Sequence, residues 1–143
     1  MFTPGFTKHA FIDSSVLGSP VTEVMLAFFP STITAPERDR ISDRFGEFHR
    51  KALRLCNAVR GVSSGWGCEN DFPIRGEDDG EKTAATGSLF IALIGWGTVD
   101  EHMAFRETEE FKENVDLITG MEGCVKLDMF HIRCEVMVRA GME

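Results

Sequence analysis

The chain has 143 residues, 43% hydrophobic and 27% charged, which is long enough for one folded domain with a sizeable core. Its formal charge of −8 at pH 7 argues against nucleic acid or an anionic membrane as a partner, since both repel an acidic surface. It contains twelve Phe, two Trp and no Tyr, so no mechanism can use a phenol side chain. Without a signal-peptide pattern or an apolar segment of membrane-spanning length, we expect a cytoplasmic protein.

The first elements predicted are an N-terminal arm and a strand. Residues 1–20 are rich in Gly, Pro, Ser and Thr with scattered Phe, which is typical of an arm that packs on its own domain or on a neighbouring subunit. Residues 21–29 are mostly apolar β-formers, so they predict the first strand, which ends at Pro30.

A long amphipathic helix follows. Thr34 and Glu37 form a capping box, and Pro36 stands where a first helical turn tolerates it. Apolar residues then recur every three or four positions, which predicts a helix to about Val59, ended by Gly61. The recurring residues are Ile41, Phe45, Phe48, Ala52, Leu55 and Val59.

The middle of the chain is richer in glycine. Residues 62–71 predict a weak second strand, and residues 72–87, with an acidic cluster, predict an exposed loop. The apolar residues 89–94 predict a strand buried on both faces. Thr98 caps a helix there, whose shared face carries Val99, His102, Phe105, Arg106 and Glu109.

The C-terminal part predicts a short helical segment and a strand. Residues 111–118 form the helical segment, which ends at Gly120. Residues 125–138 form the last strand, with Met129 and His131 on one face and Phe130 and Ile132 on the other. Residues 139–143 are then a tail.

This β-α-β-β-α-β order predicts an α+β, ferredoxin-like fold over residues 21–138, with a four-stranded antiparallel sheet and both helices on one face. The second sheet face then needs a cover. Two sheets that pack face to face in a homodimeric α/β barrel would provide it.

Short motifs resemble those of the dimeric α/β-barrel superfamily, which includes antibiotic-biosynthesis-monooxygenase-like and stress-responsive barrel domains. The motifs are Trp96 after a buried strand, the pattern Phe105-x-x-Thr108-x-x-Phe111 after a capped helix start, and the closing segment 127–131. The sequence around His102 is most similar to that of small fungal members associated with secondary metabolism.

The resemblance implies a cofactor-independent enzyme, but two departures prevent a direct transfer of catalytic roles. Relatives that cyclise polyketides use a His–Tyr pair, and this chain has no Tyr. Phe105 also stands where many relatives have the motif His.

The candidate catalytic residues are His102, Arg106 and His131. Neutral His102 could act as a general acid or base, and Arg106, paired with Glu109 or Glu110, could orient an anionic enolate or carboxylate. Alternatively, His102 is a half-buried residue beside an intrahelical salt bridge. His131 lines the cavity if its strand face looks towards the helices, and belongs to the dimer interface or core if it does not.

Aromatic and apolar side chains would form the substrate pocket, although most must also serve the core. Four dispersed histidines and four dispersed cysteines show no metal-ligand spacing, so we expect no metal. No cofactor is expected either, although some superfamily members bind haem. The predicted substrate-binding residues are Met25, Phe28, Trp66, Trp96, Phe105 and Glu109.

Three functions follow, in order of preference. The first is cyclisation, isomerisation or proton-transfer rearrangement of a hydrophobic, oxygenated small molecule such as a polyketide intermediate. The second is cofactor-free monooxygenation of a phenolic substrate. The third is a non-catalytic dimeric ligand-binding or stress-responsive module.

Overall fold

A computed structural model of the protein describes residues 16–74 and 85–135, which contain strands, α-helices and a short 3₁₀ helix. The predicted tail, most of the arm, the acidic loop around Asp78 and residues 136–138 lie outside these ranges. The last strand was predicted to continue to residue 138 but ends at Ile132. The elements are β1 (Val21–Pro30), α1 (Ala35–Lys51), the 3₁₀ helix (Leu53–Leu55), β2 (Val59–Trp66), β3 (Phe72–Ile74), β4 (Ala85–Trp96), α2 (Val99–Phe105), α3 (Glu109–Asn114), α4 (Asp116–Thr119) and β5 (Lys126–Ile132).

The strands form one antiparallel sheet in the order β2-β4-β1-β5, and the short β3 pairs with the beginning of β4. The helical connection from β1 to β2 crosses over β4, which lies between these two strands. The connection from β4 to β5 crosses over β1 in the same way. This is the ferredoxin-like arrangement. The predicted fold class is confirmed, with β3 as an addition that the loop-like composition of residues 72–87 did not indicate.

The hydrophobic core lies between the sheet and the helices. Alternate residues of β1 and β4 point to this face, because side chains of a strand alternate between its two sides. Helix α1 packs on them through Ile41, Phe45 and Phe48, as its sequence period predicted. The sheet side of the core consists of Val21, Met25, Ala27, Phe29, Phe90, Ala92, Ile94 and Trp96.

Helix α1 begins as predicted but ends earlier. The Thr34 hydroxyl accepts a hydrogen bond from the Glu37 amide at 3.2 Å, and the Glu37 carboxylate accepts one from the Thr34 amide at 2.8 Å. The predicted end at Val59 is wrong: the helix ends at Lys51, and Val59 begins β2. The apolar spacing continues beyond Lys51 by coincidence: Leu55 is 63% exposed, so it does not extend the buried face of the helix. Gly61 lies at a register irregularity within β2 rather than at a helix end.

Helix α2 is also shorter than its pattern indicated. The Thr98 hydroxyl caps it by accepting from the Glu101 amide at 3.0 Å, as predicted. It ends at Phe105, and the Thr108 hydroxyl caps a separate helix, α3. Glu109 is therefore the first residue of α3 and does not share a helix with His102, contrary to the prediction.

The second face of the sheet is also apolar. Leu26, opposite Ile91, and Val24, opposite Leu93 and Phe130, lie on this face by register. On β5 the side chains of Phe130 and Ile132 remain 44% and 38% exposed. In the described part of the chain, no helix has the length and apolar character needed to cross a membrane.

Candidate functional site

Strand pairing and one short helix bring both candidate histidines together. Glu23 on β1 lies directly opposite His131 on β5, so their side chains share the face that looks towards the helices. His102 approaches the same point from α2, which begins three residues after the end of β4. Nδ1 of His102 lies 2.8 Å from Nε2 of His131, within hydrogen-bond distance.

A buried carboxylate extends this contact. Glu23 is 6% exposed, and its Oε1 accepts a hydrogen bond of 3.0 Å from the Trp96 indole. The same oxygen lies 3.3 Å from Nε2 of His102. Burial raises the pKa of Glu23, while the indole hydrogen bond and the positive charge of Arg106 act in the opposite direction. The four side chains Trp96, Glu23, His102 and His131 thus form one polar chain.

His102 is neutral at physiological pH. It is 8% exposed and stacks on the Trp96 indole, with ring centroids 4.7 Å apart and planes 19° apart. Burial, His131 and Arg106 together lower the pKa of His102 to about 4. A neutral imidazole has one N–H donor and one lone pair that can accept a hydrogen bond.

The polar chain lies at one end of a cavity of about 280 Å³. Glu23, His102 and His131 all line it. The prediction that the His131 face looks towards the helices, rather than towards a dimer interface, is therefore the one the structure supports. The apolar walls include Met25, Phe45, Phe48, Leu53, Phe105 and Phe111.

Arg106 supplies positive charge at the rim. It is exposed, lines the cavity at the C-terminal end of α2, and its guanidinium lies 6.0 Å from the centre of the Phe111 ring. The predicted pairing with Glu109 is absent: within the described residues no ion pair joins them, and exposed Glu109 does not line the cavity. The Arg106 guanidinium is thus available to a ligand.

Two predicted pocket residues lie outside the cavity. Phe28 is paired with Leu89 and points to the second face of the sheet, opposite to its neighbours Ala27 and Phe29. Trp66 lies near the far end of the core, where its ring contacts Phe29 and Phe90 and its indole donates to the Ser42 hydroxyl at 3.0 Å.

Of the other predicted pocket residues, two line the cavity and one lies in the layer of side chains behind the cavity wall. Met25 and Phe105 line the cavity, as expected of pocket residues. Trp96 is fully buried and contacts Phe105 and His102 from beneath, so it supports the site without lining it.

Glu23 is the site residue that sequence reasoning missed. The available signal was its position: it is the acidic residue of an otherwise uncharged strand, and it alternates with Val21 and Met25 on the face that must be buried. A carboxylate at such a position needs buried partners, and Trp96 and His102 provide them.

A second cleft is larger but carries different chemistry. It has a volume of about 670 Å³ and lies beside the first half of α1, lined by side chains of both charges such as Glu37, Arg40 and Asp43. Arg44 is held there by hydrogen bonds of 3.0 and 2.6 Å to the carbonyls of Leu117 and Asp116. This cleft contains no histidine, so the smaller cavity is the candidate site.

Metal binding finds no support in the described ranges, where no three His, Cys, Asp or Glu side chains are arranged to hold a metal ion. The polar chain joins Trp96, Glu23, His102 and His131 through contacts of 3.0, 3.3 and 2.8 Å.

Comparison with known proteins gives structural matches alone. No family model matches the sequence, and no curated protein does. A protein of Arabidopsis thaliana has a TM-score of 0.51 at 13% identity, over 84% of this chain and 100% of its own. A hydroxynitrile lyase from Passiflora edulis has a TM-score of 0.48 at 13% identity, over 85% of this chain and 99% of its own.

A putative antibiotic biosynthesis monooxygenase from Bordetella bronchiseptica has a TM-score of 0.46 at 17% identity, over 80% of this chain and 98% of its own. At such identities the likeness concerns the fold and not the reaction. The strand order and the match to the Arabidopsis protein agree on the fold alone: the chain has a ferredoxin-like fold.

Proposed function

We propose that the protein is a cofactor-independent enzyme that moves protons on a hydrophobic, oxygenated small molecule. The observation that carries the proposal is the hydrogen-bonded pair His102–His131, backed by Glu23, at the polar end of an otherwise largely apolar cavity. Apolar walls with a few convergent polar groups are typical of small-molecule sites.

The cavity limits the size of the substrate. Its volume of about 280 Å³ is roughly twice that of a 150 Å³ protein cavity that binds benzene. We therefore expect a substrate body of one or two rings, or a folded chain of similar size, such as a polyketide-like intermediate. Confinement between the rings of Phe48, Phe105 and Phe111 would hold a flexible molecule in a reactive conformation, which itself accelerates an intramolecular reaction.

The histidines and Arg106 would share the chemistry. A neutral imidazole takes a proton from a carbon or oxygen of the substrate and returns it to another atom, which produces isomerisation or allows cyclisation. The Arg106 guanidinium at the rim would stabilise the enolate or phenolate oxygen that carries negative charge in between.

The same base would serve the second candidate, cofactor-free oxygenation, because that reaction also begins with deprotonation of a phenol. The third candidate, a binding module, predicts ligand binding without product and would gain support if both histidines were packed away from any cavity. Both histidines line the cavity instead, which favours an enzyme over a binding module.

Two further parts of the proposal concern the protein's environment and assembly. All four cysteines are free thiols, as a reducing cytoplasm would maintain: Cys56, Cys68, Cys124 and Cys134.

A second copy of the chain would cover the exposed Phe130 and Ile132 and produce a homodimer. Ile132→Asp should then shift the mass measured by analytical ultracentrifugation from dimer to monomer, and a monomeric wild type would contradict the assembly.

Turnover assays separate the three candidates. The wild type is incubated with polyketide-like β-ketones and with anthrone-like phenols, while product is followed by mass spectrometry and oxygen by an electrode. The variant His102→Ala/His131→Ala is the matched control. Product without oxygen uptake supports the proposal, oxygen uptake supports the monooxygenase, and binding without product supports the module. Equal turnover in the double variant would contradict acid–base chemistry at this site.

A further inference from the structure

Two ring nitrogens converge on one oxygen of Glu23. The indole of Trp96 lies 3.0 Å from Oε1, and Nε2 of His102 lies 3.3 Å from the same atom. An indole nitrogen is a donor without acceptor capacity, so Oε1 must act as the acceptor in the first contact. When Glu23 is ionised, a lone pair on Nε2 of His102 would face this electron-rich oxygen and be repelled. The hydrogen of His102 is therefore favoured on Nε2.

The position of that hydrogen determines the next contact. Neutral His102 carries a single ring hydrogen, so its Nδ1 then holds a lone pair. The 2.8 Å contact requires that Nε2 of His131 donate to it. A neutral His131 with its hydrogen on Nε2 presents a lone pair on Nδ1. Within the described residues, Nδ1 of His131 makes no hydrogen bond, and the His131 side chain lines the cavity.

We propose that Trp96 and Glu23 act as a positioning pair that sets the tautomers of His102 and His131, so that Nδ1 of His131 is the atom that exchanges protons with a ligand in the cavity. The inference deepens the proposed function and rests on it for its catalytic consequence. A C–H or O–H bond of the substrate breaks, its electron pair stays on the substrate, and the proton forms a bond to Nδ1. The imidazolium of His131 then returns that proton to another substrate atom.

Trp96 is central because it orients the acceptor. If Glu23 were replaced by Gln, the indole would still select the amide oxygen for the position of Oε1, and the tautomers would stay unchanged. If Trp96 were also replaced by Phe, the amide could turn its NH₂ group towards Nε2 of His102. The hydrogen of His102 would move to Nδ1, and His131 would have to accept on Nε2 and carry its own hydrogen on Nδ1.

Nitrogen-15 NMR at pH 7 shows which ring nitrogen of each histidine carries the hydrogen, so it tests the proposed tautomers without any substrate. In the wild type we expect the hydrogen of both His102 and His131 on Nε2. Glu23→Gln should keep this state, whereas Glu23→Gln/Trp96→Phe should invert it in more than half of the molecules. The matched control is Glu23→Gln/Trp66→Phe, which removes the other indole N–H and should keep the wild-type tautomers, because Trp66 bonds to Ser42 instead.

Each result decides the inference independently of turnover. Hydrogen on Nδ1 of His131 in the wild type, inversion by Glu23→Gln alone, or inversion by the Trp66 control would overturn it. If the Trp96 double variant does not fold, the wild-type spectrum still decides the tautomers. Should the NMR result agree and no substrate be turned over, the proposed function fails while the tautomer assignment holds. In an active enzyme, Glu23→Gln/Trp96→Phe should lower kcat about tenfold relative to Glu23→Gln and leave KM within about twofold, as expected of positioning residues.

Discussion

The two tryptophans lie on the same face of one sheet, yet they support different regions. At the site end, defined by Glu23, Trp96, His102 and His131, the indole donates to a buried carboxylate. At the packed end, defined by Phe29, Trp66 and Phe90, the indole donates to Ser42 of α1 and the rings fill the space between sheet and helix. Trp96 lies six positions after Phe90 on β4, which is about 20 Å along the strand.

This difference shows how one domain separates stability from chemistry. The packed end contains apolar side chains in contact with one another, which provides rigidity but no reactive group. The site end gives up part of its apolar packing to a carboxylate and two imidazoles, and the cavity beside them is the result. Variants at the two ends should therefore affect different measurements.

The largest expected effect is on catalysis at the site end. His131→Ala removes the proposed proton acceptor and should lower kcat by about 10²- to 10⁴-fold, the usual contribution of a general acid or base. His49→Ala, on α1 and outside the cavity lining, is the control and should keep wild-type kcat. Steady-state kinetics on the substrate found above measures both. Equal rates for the two variants would remove the functional distinction between the regions.

The next effect compares the stability of the two ends. Phe90 is fully buried and Phe105 is 4% exposed, so truncation of either to Ala should cost about 3–5 kcal/mol of unfolding free energy. We expect the larger loss for Phe90→Ala, because Phe90 is enclosed on all sides whereas Phe105 borders a cavity. Urea unfolding gives both values, with Leu55→Ala at an exposed position as the control. A greater loss for Phe105→Ala would mean that the site end is the better-packed region.

Acid should destabilise the site end through His102. Its pKa is 6.5 in the unfolded chain and about 4 in the folded protein, so the folded state binds the proton less readily. The stability gained from neutral His102 is fully present above pH 6.5 and is lost as the pH falls through 4. His102→Gln should remove this dependence and lose less stability than the wild type between pH 7 and pH 4, by at most about 3 kcal/mol.

Glu23 acts in the opposite direction. Its folded-state pKa is raised, so its ionisation costs stability at neutral pH, and acidification relieves that cost. Glu23→Gln should therefore lose more stability than the wild type over the same range, whereas Phe90→Leu at the packed end should keep the wild-type dependence. Urea titrations at both pH values measure these differences. For the His102 prediction, the contradicting outcome is an unfolding free energy that falls equally between pH 7 and pH 4 in the wild type and in His102→Gln. That result would show that His102 does not resist protonation.

The smallest expected effect is the loss of stability when either tryptophan is replaced by Phe. Trp66→Phe and Trp96→Phe each remove one hydrogen bond and part of a ring, and each should cost about 1–2 kcal/mol of unfolding free energy. Thermal or urea unfolding measures this loss. Loss of the Trp66 indole should leave kcat within about twofold, because its partner Ser42 does not belong to the site, whereas the partner of Trp96 is Glu23. A larger catalytic loss in Trp66→Phe than in Trp96→Phe would reverse the assignment of the two ends.

The sequence predicted those features that depend on local chemistry. The capping residues Thr34 and Thr98 begin their helices as expected, and the alternation of the last strand placed Met129 and His131 on one face. The end of α1 was missed because Leu55 and Val59 continue a helical spacing although neither belongs to the helix. Periodicity alone does not distinguish these cases, since tertiary context decides where a marginal helix turn ends.

The site was only partly predictable because it depends on pairing between distant strands. Met25 and Phe28 differ by an odd number of positions, so the predicted strand already implied that they cannot share a face. The partner of His131 required the register of β1 against β5, and that register identifies Glu23. No local pattern contains this information.

The pairing between β1 and β5 has a consequence for how such a chain can change. Glu23 and His131 meet because the segment between α4 and β5 has the length that aligns them. One residue inserted into that segment, if it shifts the pairing by one position, would turn His131 to the other side of the sheet and bring Phe130 or Ile132 inward. The architecture would survive such an insertion and the proton chemistry would not, so homologues with a different spacing there should have lost this reaction.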